Sequence, residues 1–284
     1  MSSLELLKQY KEADCDTIHN LGYSIKLFKE DDIYEWDVVL LGAPDSLYNG
    51  GIFHIKLSFP KDYPNSKPEV IFLTPIYHLN VNPLKLKGNE IEPLGHVSVS
   101  FINWWNQKTT VKEILIQLYS IFYLQTNDSP YGLDRSIEFL ENRPLYDMKT
   151  KYFTKKYANQ ENLDKGIKYD DKDWDFSCNE NELKSKGEIF QKQKESNNAN
   201  NSENKNIELI FEINGKKQVK IKCGTNELTS DVMERSKEDL GIKDNTENLL
   251  YIFNRRRLNL ELPIKENGLN DNSEIIVIYD VIYA

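Results

Sequence analysis

Tyr34, Trp36, Val38 and Leu40 alternate with Glu35 and Asp37, and Phe53, Ile55, Leu57 and Phe59 alternate with His54, Lys56 and Ser58. Successive strand side chains point to opposite faces, so each run predicts a strand with one apolar side. Gly50-Gly51 stands between them and predicts a tight hairpin. Upstream, Ser2-Ser3-Leu4-Glu5 predicts a helix start, with Leu4 and Leu7 on one face. Downstream, Pro60, Pro64, Pro68 and Pro75 punctuate short extended pieces. Thr110 and Glu113 then make a capping-box pattern, and Val111, Ile114, Leu115, Leu118 and Ile121 follow at helical spacing. Helical patterns continue over 132–142 and 145–157. Helix, antiparallel meander, helices predicts an α+β layout.

The pattern breaks at residues 191–206, QKQKESNNANNSENKN, which hold no large apolar group. Such a segment cannot bury enough surface to offset its ordering entropy, so it reads as a linker. The charged stretch before it, 161–190, has only scattered anchors such as Trp174, Phe176 and Ile189 and reads as an extension. Order then resumes. Ile207, Leu209, Phe211 and Ile213 predict a strand; Asn214-Gly215 predicts a two-residue turn; Val219, Ile221 and Cys223 predict the returning strand. A helix over about 230–240 and strands near 249–253 and 274–279 complete a compact second unit. The expected division is 1–160, 161–190, 191–206 and 207–284.

Composition narrows the function. A formal charge of −9 and a pI near 5.2 exclude an electrostatic nucleic-acid binder, which needs a concentrated basic face. No apolar run approaches the ~18 residues of a membrane span, and Met1 to Asp16 has no apolar leader core. A soluble intracellular, cytoplasmic protein is expected. Cys15, Cys178 and Cys223 are odd in number and lack paired spacing; His19, His54, His78 and His96 are dispersed. No disulfide framework, metal site or cofactor is expected.

Trp36-Asp37-Val38-Val39-Leu40-Leu41-Gly42-Ala43-Pro44 and Ser46-Leu47-Tyr48-Asn49-Gly50-Gly51-Ile52-Phe53 resemble the ubiquitin-conjugating enzyme family. So do Phe59-Pro60-Lys61-Asp62-Tyr63-Pro64 and Phe72-Leu73-Thr74-Pro75-Ile76-Tyr77-His78-Leu79-Asn80-Val81. The likeness runs from the first helix to Ala158 and implies that family's fold. Residues 207–284 resemble a ubiquitin-like domain of β-grasp type, through strand order, Leu250-Tyr251-Ile252-Phe253 before a basic turn, and Gly268-Leu269-Asn270-Asp271-Asn272-Ser273. Because the sequence ends Val281-Ile282-Tyr283-Ala284, without Gly-Gly, a fixed recognition module is expected there, not a conjugated tag.

The resemblance also assigns chemistry. The family carries ubiquitin as a thioester on a cysteine within Gly-x-[Ile/Val]-Cys, and sulfur suits this as an intrinsic nucleophile partly ionised at neutral pH. Here Gly95-His96-Val97-Ser98 stands at that place, followed by Trp104, so Ser98 takes the nucleophile's position. A serine without a base is a poor nucleophile; in extended backbone His96 shares a face with Ser98 and is the one nearby candidate. The family's His-Pro-Asn reads His78-Leu79-Asn80, keeping the amide that helps stabilise an oxyanion. Asn127-Asp128-Ser129-Pro130 resembles the gate segment, with Ser129 assisting the incoming lysine. Residues 83–93 contain about ten more positions than the family usually has and read as a surface loop.

Pro64 and Trp104 mark the loops on which the family binds ligases, and Ile252 matches the centre of ubiquitin's apolar recognition patch. Each assignment has a plainer alternative. Asn80 could brace a turn, Ser129 could be a turn residue before Pro130, and Trp36, Trp104 and Trp105 could be packing. Ile252 could be strand core, and Arg255-Arg256-Arg257 a solvated turn.

Three functions stay open. One is a non-catalytic variant that binds ubiquitin, a ubiquitin-like modifier, or a conjugating-enzyme or ligase partner. The second is a conjugating enzyme whose cysteine is substituted by serine. The third is a structural subunit of a large assembly that reuses both folds.

Overall fold

The computed structural model describes residues 3–82, 95–97, 105–125, 130–165, 204–213, 217–242 and 249–279. Its first sheet has the order β1 (Tyr23–Lys29), β2 (Asp32–Leu41), β3 (Ile52–Ser58), β4 (Glu69–Phe72), each antiparallel to its neighbour. The alternation works as expected. Trp36, Val38, Leu40, Phe53, Ile55, Leu57, Val70 and Phe72 are buried. On the opposite side Lys26 pairs with Asp37 at 3.0 Å, and His54 also pairs with Asp37.

Two local expectations need correction. β2 and β3 pair up to Leu41↔Ile52, so the connection is the whole stretch 42–51, not a tight turn at Gly50-Gly51. Tyr48 is the reason: its ring is fully buried and its hydroxyl donates to Tyr77 O at 3.1 Å, drawing the loop inward. In α1 (Ser3–Ala13), Leu6, Gln9 and Ala13 face the core, while Leu4 and Leu7 are exposed. Gln9 is drawn in because its Oε1 accepts from Val111 N–H at 3.1 Å and from the Tyr63 hydroxyl at 3.4 Å.

After the short α2 (Asp16–Asn20), the remaining helices of the first unit are α3 (Val111–Tyr119), α4 (Leu133–Glu141), α5 (Arg143–Tyr157) and α6 (Gln160–Lys165). Thr110 caps α3 with the reciprocal box expected: its side chain accepts from Glu113 N–H, and the Glu113 carboxylate accepts from Thr110 N–H at 2.7 Å. Beyond the cap, α3 is buried on every side, at Val111, Ile114, Leu115, Ile116, Gln117, Leu118 and Tyr119. A helix buried all round needs cover from more than one direction.

Part of that cover comes from the second sheet, ordered β6 (Lys217–Gly224), β5 (Asn206–Ile213), β9 (Glu274–Tyr279), β7 (Leu249–Phe253), β8 (Arg256–Arg257). β5 and β9 run parallel at its centre, and the other pairs are antiparallel. The β5–β6 ladder closes at Ile213↔Lys217, and residues 214–216, where the Asn214-Gly215 turn is expected, lie outside the described residues. α7 (Thr229–Leu240) covers one face, where Leu209, Phe211, Val232, Met233, Tyr251, Ile275 and Val277 form a core. Leu250, Ile252, Ile276 and Ile278 join the first unit's core instead. The extension beyond Lys165 and most of the 191–206 linker lie outside the described residues.

The cap yields a direct test. Thr110→Ala removes the side-chain acceptor and should lower stability by about 1 kcal/mol, with Thr110→Ser restoring most of it. Urea unfolding measures both; equal stability of all three proteins would refute the capping assignment.

Candidate functional site

The segment 78–82 packs against Gly95 and His96, which precede the predicted nucleophile in sequence. His78 is fully buried; its Nε2–H donates to Ile121 O at 3.0 Å, and its Nδ1 accepts from Asn80 N–H at 2.9 Å. That pair of bonds requires the neutral ring. Burial, reinforced by the charge of Arg135, lowers the His78 pKa to about 3.

Arg135 supplies the second clamp. From α4 its guanidinium donates to His78 O at 2.7 Å, Val81 O at 3.1 Å and Tyr131 O. Only 5% of the residue is exposed, and burial lowers its pKa from the ordinary 12.5. Tyr131 N–H in turn donates to Leu79 O at 2.7 Å. Three carbonyls on one planar donor fix the loop's path with little freedom.

Gly95, His96 and Val97 are laced between this loop and β4. Asn82 N–H donates to His96 O and Phe72 N–H to Gly95 O, both at 2.8 Å, while Val97 N–H donates to Val70 O at 3.1 Å. Gly95 has φ +78°, and a Cβ there would stand 2.0 Å from Phe72 O, so no other residue fits. The motif's glycine thus has a structural cause. Asn80 is buried to 1% exposure inside the frame. Leu79, where the family pattern has proline, packs with Tyr77, Tyr146, Phe153 and Tyr157. That contact with α5 gives the substitution a role.

Ser98, Trp104 and Ser129 lie outside the described residues, as does the loop expected over 83–93. His96 has Nδ1 3.3 Å from Tyr131 Oη and Nε2 3.9 Å from a Glu69 carboxylate oxygen. Pro64 sits half-buried in a loop joined to the residues after Trp104: Tyr63 Oη reaches Thr109 O at 3.3 Å, and Gln107 Nε2 donates to Asn65 Oδ1 at 3.4 Å. Trp36 is core, wholly buried against Tyr10 and Phe59.

Ile252 and the basic turn behave differently from an open patch on a solvated hairpin. Ile252 is 1% exposed, because the first unit covers it. Arg255 Nη2 donates to Gly42 O at 2.8 Å, and only Arg256 and Arg257 stay exposed. Among the described residues no cluster of His, Cys, Asp or Glu could hold a metal, and no helix is long and apolar enough to cross a membrane.

The family model for ubiquitin-conjugating enzyme matches residues 5–154, from α1 through most of α5. The chain belongs to the ubiquitin-conjugating enzyme family. Ubiquitin-conjugating enzyme E2 13 of Arabidopsis thaliana is 35% identical over 136 residues, 45% of this chain and 80% of that protein. Ubiquitin-conjugating enzyme E2 15 of Schizosaccharomyces pombe is 35% identical over 141 residues, 48% and 83% respectively. The E2 domain of a Toxoplasma gondii ubiquitin-conjugating enzyme aligns with TM-score 0.46 and 24% identity, over 55% of this chain and 98% of that one. The match to the family model ends at residue 154, before the second sheet.

Sequence reasoning passed over Arg135. The hydropathy of α4 points to Leu133, Ile137 and Leu140, yet these are 73%, 42% and 63% exposed, and Arg135 and Ser136 face inward. The polar carbonyls of 78–81 and Tyr131 decide which face is buried, and they are distant in sequence.

Neutral His78 carries a pH signature. Between its ordinary 6.5 and about 3, the unfolded chain binds a proton that the folded chain refuses. This contribution is complete above pH 6.5 and is lost as pH falls toward 3, with a limiting slope of about 1.4 kcal/mol per pH unit. His78→Gln should therefore show a shallower fall in stability from pH 6.5 to 4 than the native chain. Identical slopes in pH-dependent urea unfolding would contradict the neutral, buried ring.

Proposed function

We propose that this chain is a ubiquitin-pathway protein that uses its conjugating-enzyme fold to bind partners and does not carry a thioester. The observation behind this reading is chemical. Ser98 stands where the family's cysteine belongs, and a hydroxyl needs a general base within hydrogen-bond reach. The histidine beside it in sequence, His96, already directs one ring nitrogen toward Tyr131 Oη and the other toward Glu69. Among the described residues of the frame no second base stands out, and Ser98 is read as an inert occupant of the nucleophile position.

The C-terminal unit is read as a ubiquitin-like domain of β-grasp type. A hairpin, one helix and two further main strands, with a parallel pair at the centre, support this. Partners then fall in one class: ubiquitin or a ubiquitin-like modifier, an active conjugating enzyme, or a ligase. Pro64 and Trp104 are the proposed ligase-side contacts.

A second reading is favoured by the frame itself. His78, Asn80 and the Gly95–Val97 lacing are intact, as expected of a conjugating enzyme in which serine replaces only the nucleophile; Asn80 would then serve the oxyanion and Ser129 the incoming lysine. A structural role in a large assembly is the third reading; the second unit is compatible with it.

One assay separates the first two. The native chain and Ser98→Cys are incubated with activating enzyme, ATP and ubiquitin, and adducts are resolved with and without reductant. The binding reading expects no adduct on either protein. A reductant-sensitive adduct on Ser98→Cys transfers support to the conjugating-enzyme reading, and a reductant-resistant adduct on the native chain would sink the inert-serine reading.

A further inference from the structure

The second sheet has two apolar faces, not one. Along β7 and β9, Tyr251, Ile275 and Val277 turn to α7, while Leu250, Ile252, Ile276 and Ile278 turn the other way and are buried against the first unit. α3 lies against β9. A domain with its own complete core has no need of a second apolar face unless something covers it.

Polar contacts rim this face on both sides. At one edge the turn between β7 and β8 holds Asn254 and Arg255 at φ 48° and 65°. There the Arg255 carbonyl accepts from the hydroxyls of Tyr119 (2.6 Å) and Tyr123 (3.0 Å). Arg257 N–H donates to Asp45 Oδ2 at 2.9 Å. Gly22, at φ +83°, lets the Arg255 side chain lie close; a Cβ there would stand 2.9 Å from Nε. At the other edge Glu212 accepts from Lys112 Nζ and from Thr17 Oγ1, both at 3.1 Å. Only 20% of the Lys112 side chain and 11% of the Glu212 side chain are exposed.

We propose that this face is a protein-binding surface that the chain occupies with its own first unit. The partner it fits is an apolar helix with a lysine at its start, for Glu212, and tyrosine hydroxyls at its end, for the Arg255 carbonyl. α3 with Tyr123 is that partner in cis. The residues between the units tether them at roughly millimolar effective concentration, which favours the internal partner. This inference rests on the contact alone and not on whether Ser98 reacts.

The test uses the full chain with a protease site inserted within residues 191–203, cut after purification. The two pieces should co-elute on size exclusion at micromolar concentration. Lys112→Glu and Glu212→Lys should each weaken their association by about tenfold or more, and the double reversal should recover most of it. Ile252→Asp should separate them outright, and circular dichroism before cutting verifies that each variant is folded. Should a reversal fail to fold, Arg255→Ala takes its place, with weakening again expected. Separation of the native-sequence pieces overturns the proposal, as does undiminished association in the single reversals or Arg255→Ala. Because the assay reads no ubiquitin chemistry, its failure is distinct from failure of the pathway reading.

Discussion

Helix α3 is buried on every flank after its first turn. Val111 through Tyr119 include seven buried positions, among them the consecutive Ile114, Leu115 and Ile116. Water cannot be left on any flank of such a helix without losing about 25 cal/mol for each Å² of apolar surface left uncovered. The four-stranded sheet and α1 answer one part of that requirement, and Leu250, Ile252, Ile276 and Ile278 answer another. Much else follows from this double covering: the second unit is fixed in place, Arg255 is brought to Gly42, and Glu212 is brought to Lys112.

The site frame depends on a different economy. His78 and Arg135 are a neutral ring and a charged group, each buried, the ring satisfied by Asn80 N–H and Ile121 O and the guanidinium by the carbonyls of His78, Val81 and Tyr131. Burying a guanidinium is costly unless its donors are used, and here three carbonyls use them. The result is a loop held from two sides with Asn80 inside it. The fold over residues 5–154 is the family's, and a binding role is the reading proposed for it.

The strands of the first sheet, the capping box at Thr110 and the family's motifs were readable from the chain because their causes are local. Alternation and capping act over a few residues. The inward turn of Gln9, the long 42–51 connection and the reversed face of α4 were not, because each is set by a partner far along the chain: Val111, Tyr77 and His78 respectively. The docking of the second unit did leave a trace. Ile275-Ile276-Val277-Ile278 is a continuous apolar run, which signals a strand buried on both faces, not an alternating one with a solvated side. Read together with Ile114-Leu115-Ile116 in α3, it would have directed attention to Ile252 as an internal contact.

The most direct test of this shared core is methyl nuclear Overhauser spectroscopy on the intact chain, labelled at isoleucine, leucine and valine methyls. The methyls of Ile252, Ile276 and Ile278 should show cross-peaks to those of Leu115, Ile116 or Leu118. Cross-peaks from these isoleucines confined to residues beyond 204, with their methyls accessible to a soluble relaxation agent, would contradict the two-sided burial on which the account rests.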